Sequence, residues 1–221
     1  MSQELFTAED IEAILGSVNV KRLAPYIEFA EYIEEIGAKL YLWNMQISSS
    51  FWFAFHILEV TLRNSIDIQM KIITNNDDWL NDKLLHEKEI NKVLEARKKL
   101  HNHQKSVTHD KTIAELNFGF WLSLFQRNYH KALWEAGLYK CFPNYEGKRS
   151  EIYQTLEILV RLRNRIAHHE PIFKNDLEEQ FVRLVGVVSY MNSNLAGLIV
   201  RNSDVINYLN NYPIKIVDLS K

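Results

Sequence analysis

Between residues 163 and 171 the chain reads Arg-Asn-Arg-Ile-Ala-His-His-Glu-Pro, which gathers guanidinium groups, an amide and two imidazoles within about two helical turns. These residue types suit phosphate chemistry. Arginine keeps its charge and offers a planar fork to phosphate oxygens. An imidazole, titrating near 6.5, takes or gives a proton close to neutrality and typically contributes about 10²–10⁴-fold in rate. An amide such as Asn164 hydrogen-bonds a phosphate or fixes an imidazole. Together such groups can hold a phosphate, move protons beside it and stabilise negative charge gathering on it. A single histidine supplies only an acid or a base, so a symmetric homodimer with one histidine from each subunit is a chemical expectation.

A helix must carry these residues. Ser150 reads as its cap, His168 lies near its end and Pro171 stops it. On that helix Ile152, Leu156, Leu159, Val160, Leu162 and Ile166 form one apolar stripe, and Arg163 sits about 20° from the stripe's centre. Burying an unpaired guanidinium is costly, so Arg163 either meets an acid inside the bundle or lines a cleft. Arg161, Asn164, Arg165 and His168 make a polar stripe nearly opposite. Asn164 and His168 are one turn apart, whereas Arg163 and His168 are about 140° apart on an ideal helix. The bland alternative is that this run of cations, with His169, merely neutralises a helix C-terminus.

A partner helix is expected over residues 51–74, ended by Asn75-Asn76-Asp77-Asp78. Phe51, Phe55, Leu58, Leu62 and Ile66 form its apolar ridge, and His56, Glu59, Arg63 and Asp67 its polar stripe. Glu59 and Arg63 are either a self-satisfied i,i+4 pair or, in the functional reading, Glu59 or Asp67 orients Arg163 or His168. Elsewhere, Pro25 is read as opening a helix to about Gln46, with Ser48–Ser50 as a break. Glu87–His101 reads as an amphipathic helix, Thr112 with Glu115 as a capping box for a helix to about Phe125, and Tyr129–Leu138 as a short helix. After Asn175-Asp176 the pattern is helical to about Met191 and then on to Asn210. The fold class is all-α, a helical bundle.

Composition narrows the function. With 221 residues and 47% apolar content the chain can bury a real core, and seven Gly and four Pro are too few for a sandwich or barrel. One cysteine, Cys141, excludes a disulfide framework and a cysteine-based zinc site. No secretory signal is visible at the start, and the uncharged run Leu40–Leu58 is too polar to span a bilayer, so a cytoplasmic protein with no membrane partner is expected. The net charge of −2 hides segregation: residues 83–112 and residues 127–165 each hold eight basic against four acidic side chains. Lys98, Lys99, Lys148 and Arg149 in these stretches are candidate RNA-phosphate contacts, or simply a solvated face. His101-Asn102-His103 reads as a loop, and His101, His103 and His109 are weighed as a metal site and set aside. There is neither a G-x-S-x-G elbow nor a phosphate-cradling glycine loop. Phe118, Phe120, Trp121 and Phe125 have core spacing.

Arg163-Asn164-Arg165-Ile166-Ala167-His168 resembles the R-N-x-x-x-H form of the R-x4–6-H motif of HEPN ribonucleases. The continuation HHEPIF, with LEVTLRN at 58–64 and FGFW at 118–121, resembles the abortive-infection (Abi-like) branch of that superfamily, which is similar to the nuclease domains of type VI RNA-guided CRISPR effectors. The resemblance spans about residues 25–190. It implies an HEPN-like helical bundle with additional helices, over 25–221 as a single domain after an N-terminal extension of residues 1–24. It also implies a dimer, and metal-independent endoribonuclease activity in phage defence or toxin–antitoxin roles, with no cofactor and with an RNA or protein antitoxin as a further partner. It maps Arg163 and His168 onto the catalytic pair and Asn164 onto the polar residue beside them. Glu59, Arg63, Arg161, Arg165 and His169 are supporting candidates. The alternatives from other classes are a catalytically inactive RNA- or partner-binding module and a structural dimerisation protein.

Overall fold

A computed structural model describes residues 6–214, and among them every regular element is helical. Thr7 starts α1 (Ala8–Ser17) through a reciprocal capping box with Asp10. Asn19 starts α2 (Val20–Phe29) by accepting the Lys21 N–H at 2.9 Å. Pro25 therefore lies inside α2 and does not open a helix. A break follows at Glu31 and Tyr32, both left-handed with φ of 52° and 65°. Gly37 then lets the next helix approach α2 closely, since a Cβ there would lie 2.8 Å from the Ile27 Cα.

That next helix, α3 (Glu34–Thr74), runs 41 residues without interruption. The expected break at Ser48–Ser50 does not occur. Leu40, Trp43, Ile47, Phe51, Ala54, Leu58, Leu62, Ile66 and Met70 recur every three or four positions, and all are essentially fully buried. Serine costs a helix only a few tenths of a kcal/mol per residue, so a continuous apolar seam overrides three of them.

The remaining elements are α4 (Glu87–Asn102), α5 (His109–Glu115), α6 (Phe118–Ser123), α7 (Arg149–Ala167), α8 (Leu177–Met191), α9 (Ser193–Asn202) and α10 (Val205–Asn210). Thr112 is not a cap. It lies inside α5, donating its hydroxyl to the Thr108 carbonyl, and Thr108 caps that helix. Asn117 starts α6 separately by accepting the Phe120 N–H at 3.0 Å. The expected helix over Tyr129–Leu138 is replaced by a 3₁₀ turn, a π-helical turn at His130–Trp134 and a second 3₁₀ turn at Leu138–Cys141. Gly137, at φ 144°, separates the last two. Ser150 lies within the first turn of α7, one residue after its start, so it does not cap that helix.

The chain divides into two compact units. Among the described residues, the first comprises 6–53, Leu162–Phe181 and 202–214. Its core holds Tyr26 edge-on to Tyr41 at 5.2 Å and against Phe173 at 5.1 Å, and Phe51 edge-on to Phe181 at 5.9 Å. Trp43 is tied down by its indole N–H, which donates to the Tyr208 carbonyl at 2.7 Å. The second unit is Ala54–Arg161 with Val182–Arg201. Phe118, Phe120, Trp121 and Phe125 are buried in its core, as their spacing predicts, with Trp79 packed on Phe120 and Trp121. Cys141 is buried here as a free thiol. No helix among the described residues is long and apolar enough to cross a membrane.

Candidate active site at the end of α7

The apolar stripe of α7 is buried from Ile152 to Ile166. The helix then ends in a six-residue closing turn that normally uses glycine. Glu170 N–H reaches the Arg165 carbonyl at 2.8 Å and His169 N–H the Ile166 carbonyl at 3.0 Å, while His169 takes φ 55°. One arginine holds this non-glycine residue and a second holds the chain just after it. Arg22 donates to the His169 carbonyl, and Arg165 donates from Nη2 to the Pro171 carbonyl at 2.8 Å, with Glu170 3.5 Å from its Nε. Of the expected supporting residues, Arg165 serves this turn through its side chain and His169 through its backbone.

Arg163 is half-buried, and its guanidinium carbon lies 5.1 Å from the centre of the Trp52 ring. Stacking of the planar head on an indole is one contact that holds this cation beside an apolar stripe. Asn164 and His168 are exposed one turn apart, and neither side chain makes a hydrogen bond among the described residues. The end of α7 therefore offers an anchored guanidinium, a free amide and a free imidazole.

The other candidates belong to the second unit. Glu59 is half-buried on α3, and Arg63 donates from Nε to the Asn64 side chain at 3.4 Å. Arg161 pairs with Glu157 at 3.2 Å, one turn back along α7. Lys98, Lys99 and Lys148 are exposed, with Lys99 3.5 Å from Glu115, so they are accessible to a polyanion. Arg149 is not: its Nη1 donates to the Phe125 carbonyl, a structural use of the cation.

Asp67, the second acid considered for orienting the site, is engaged within the second unit. It accepts the Trp79 indole N–H at 2.8 Å, meets His109 Nε2 at 2.7 Å and pairs with Lys71 at 2.8 Å. His109 Nδ1 faces Asp78 at 3.1 Å. Burial favours the neutral carboxyl of Asp67, but hydrogen bonds from Lys71, His109 and Trp79 outweigh it and hold its pKa below the usual value. His109 is thereby part of a structural cluster, and among the described residues no group of three or more His, Cys, Asp or Glu side chains is arranged to hold a metal ion.

One feature beside the motif has no counterpart in the sequence reading. Within the first unit, α2, α3 and the end of α7 enclose a cavity of about 510 Å³. Tyr26, Tyr41 and Trp52 give it aromatic walls, and Asn44, Ser48 and Ser49 a polar side. Ile166, Ala167 and His169 form its border with the motif. Ser48 and Ser49, read from sequence as a helix break, line this cavity. The signal was present as polar residues interrupting an aromatic-rich helical run.

No family model matches the chain, and neither the curated proteins nor the solved structures contain a significant match to it.

Proposed function

We propose that this chain is an endoribonuclease of the HEPN, abortive-infection type, cutting RNA without a metal in phage defence or as a toxin. The observation that carries the reading is the exposed Asn164–His168 pair beside an arginine anchored on Trp52. In this reading the 2′-oxygen bonds to the phosphorus and the bond to the 5′-oxygen breaks, leaving a 2′,3′-cyclic phosphate and a 5′-hydroxyl. His168 moves a proton at the 2′- or the 5′-oxygen, and the matching histidine of a second copy serves the other. Arg163 stabilises the charge gathering on the phosphate, and Asn164 bonds a phosphate oxygen or the imidazole. Lys98, Lys99 and Lys148 add phosphate contacts. The fold of such an enzyme is an HEPN-like helical bundle with additional helices. Its setting is cytoplasmic, and an RNA or protein antitoxin is its restraining partner.

A catalytically inactive RNA- or partner-binding module is the second reading. It is favoured by the structural employment of Arg22, Arg149, Arg161 and Arg165, four cations already committed to partners within the chain.

One assay separates the two. In excess EDTA the purified protein is expected to cut single-stranded RNA, and a 2′-deoxy sugar at the cut position is expected to abolish cleavage there because the nucleophile is gone. Cleavage that persists at the deoxy position overturns the mechanism. Binding without any cleavage leaves the second reading.

A further inference from the structure

In the wall of the first unit's cavity lies a hydroxyl with nothing to bond. Tyr26 is only 1% exposed, and its hydroxyl has no hydrogen-bond partner among the described residues. Burial pushes this phenol up to about 12, although Arg22 and Arg165 pull the other way, so it is a neutral donor at any physiological pH. Buried polar groups are nearly always satisfied, and this one belongs to a residue of the cavity wall, where a guest meets it after a small shift of the ring. The other walls describe that guest. Tyr41 and Trp52 are aromatic lining residues, and aromatic side chains favour a flat aromatic guest. The Asn44 carbonyl oxygen is already used by the Ile172 N–H at 2.8 Å, so its amide NH₂ is what it can offer. Ser49 adds a hydroxyl that both donates and accepts. The volume lies in the range of small-ligand sites and accommodates a base with its sugar. An aliphatic guest would leave the Tyr26 hydroxyl and the Asn44 amide unpaired.

We propose that this cavity is a nucleobase subsite that takes one unpaired base of a single-stranded RNA, its ring against Trp52 and Tyr41 and its polar edge at Tyr26, Asn44 and Ser49. This rests on the ribonuclease reading for its substrate and deepens it. Ile166, Ala167 and His169 border the cavity and bracket His168 in sequence. A base seated there delivers its own phosphate to the end of α7. Trp52 then has two tasks, since it also carries Arg163. The subsite makes cleavage base-selective and requires the base to be unpaired, because a paired base has no free edge to present.

The test uses the full chain carrying His168→Ala, so that no turnover intervenes. It is titrated by calorimetry with the four nucleoside 5′-monophosphates and with short single-stranded homopolymers of each base. At least one base type is expected to bind. Trp52→Ala is expected to weaken all binding nucleotides by about tenfold, since stacking is tolerant of base identity. Tyr26→Phe is expected to lower affinity for the preferred base alone by about fivefold to tenfold, while raising the melting temperature because a buried unpartnered hydroxyl is removed. The proposal is overturned if no monophosphate binds, or if both variants are folded and bind all four nucleotides unchanged. His168-dependent RNA cleavage by the wild type together with that failure removes the subsite alone. Nucleotide binding that depends on Trp52 and Tyr26, without any RNA cleavage, keeps the subsite and removes the ribonuclease reading.

Discussion

Replacing His168 by alanine is expected to lower RNA cleavage by about 10²–10⁴-fold while leaving RNA affinity and the melting temperature near wild type. The geometry explains why the effects should separate. His168 is exposed, and its side chain makes no hydrogen bond among the described residues, so its removal leaves no polar group stranded and no void. Surface changes of this kind usually stay within about 0.5 kcal/mol of wild type. A single imidazole also adds little to ground-state phosphate binding. In cells, expression should arrest growth only while His168 is present. A His168→Ala protein that cuts RNA normally, or that binds it far more weakly, ends the catalytic assignment. Arg163→Ala is a different experiment, because it also uncovers the Trp52 ring, and its activity should be read only beside a thermal melt.

Asp67→Ala is expected to destabilise the protein by about 1–3 kcal/mol, because it strands a buried donor. Three donors converge on that carboxylate, and one of them, the Trp79 indole, belongs to a fully buried ring. Alanine strands the indole N–H and leaves His109 with only Asp78. Asp67→Asn keeps an acceptor for Trp79 but loses the charge facing Lys71 and His109, so it should cost less. The pH dependence has a definite sign. The folded protein holds the Asp67 pKa below its unfolded value of about 3.9, so the carboxylate's contribution is complete above that pH. It is lost as pH falls through the folded value. Equilibrium unfolding followed against pH should show a steep acid limb below about pH 4 in the wild type and a flatter one in Asp67→Asn. Equal acid limbs would show that Asp67 does not govern acid unfolding.

Much of the helical content was legible because apolar spacing is a local property. The limits of α4, α7 and α8 lie within one or two residues of where periodicity places them. The failures have separate physical causes. Ser48–Ser50 read as a break because serine favours caps, yet the seam from Leu40 to Met70 passes straight through them. Thr112 and Glu115 match a capping box in letters, but the chain starts its helix at Thr108, a residue without an acid three positions on. Proline prefers the first turn of a helix, but Asn19 begins the helix that contains Pro25 six residues earlier in the chain. At the site, residues 163–169 form one local constellation and were readable as such. The support for Arg163 comes from Trp52 and the support for His169 from Arg22, partners more than a hundred residues away. No local pattern encodes contacts of that kind. The cavity beside them is likewise a product of packing, visible in sequence only as unexplained serines.

Cys141 also makes the molecule its own clock. Only the thiolate attacks an alkylating reagent, and burial both hides this sulfur and pushes its thiol up to about 12. In the native protein, modification must therefore wait for the second unit to open around residues 138–141. Because the chain has one cysteine, no disulfide exchange competes with the reaction. When the reagent is fast, the labelling rate is the opening rate. When it is slow, the labelling rate reports the equilibrium population of the open form. The interval between transient openings of this unit can thus be timed without introducing any foreign probe.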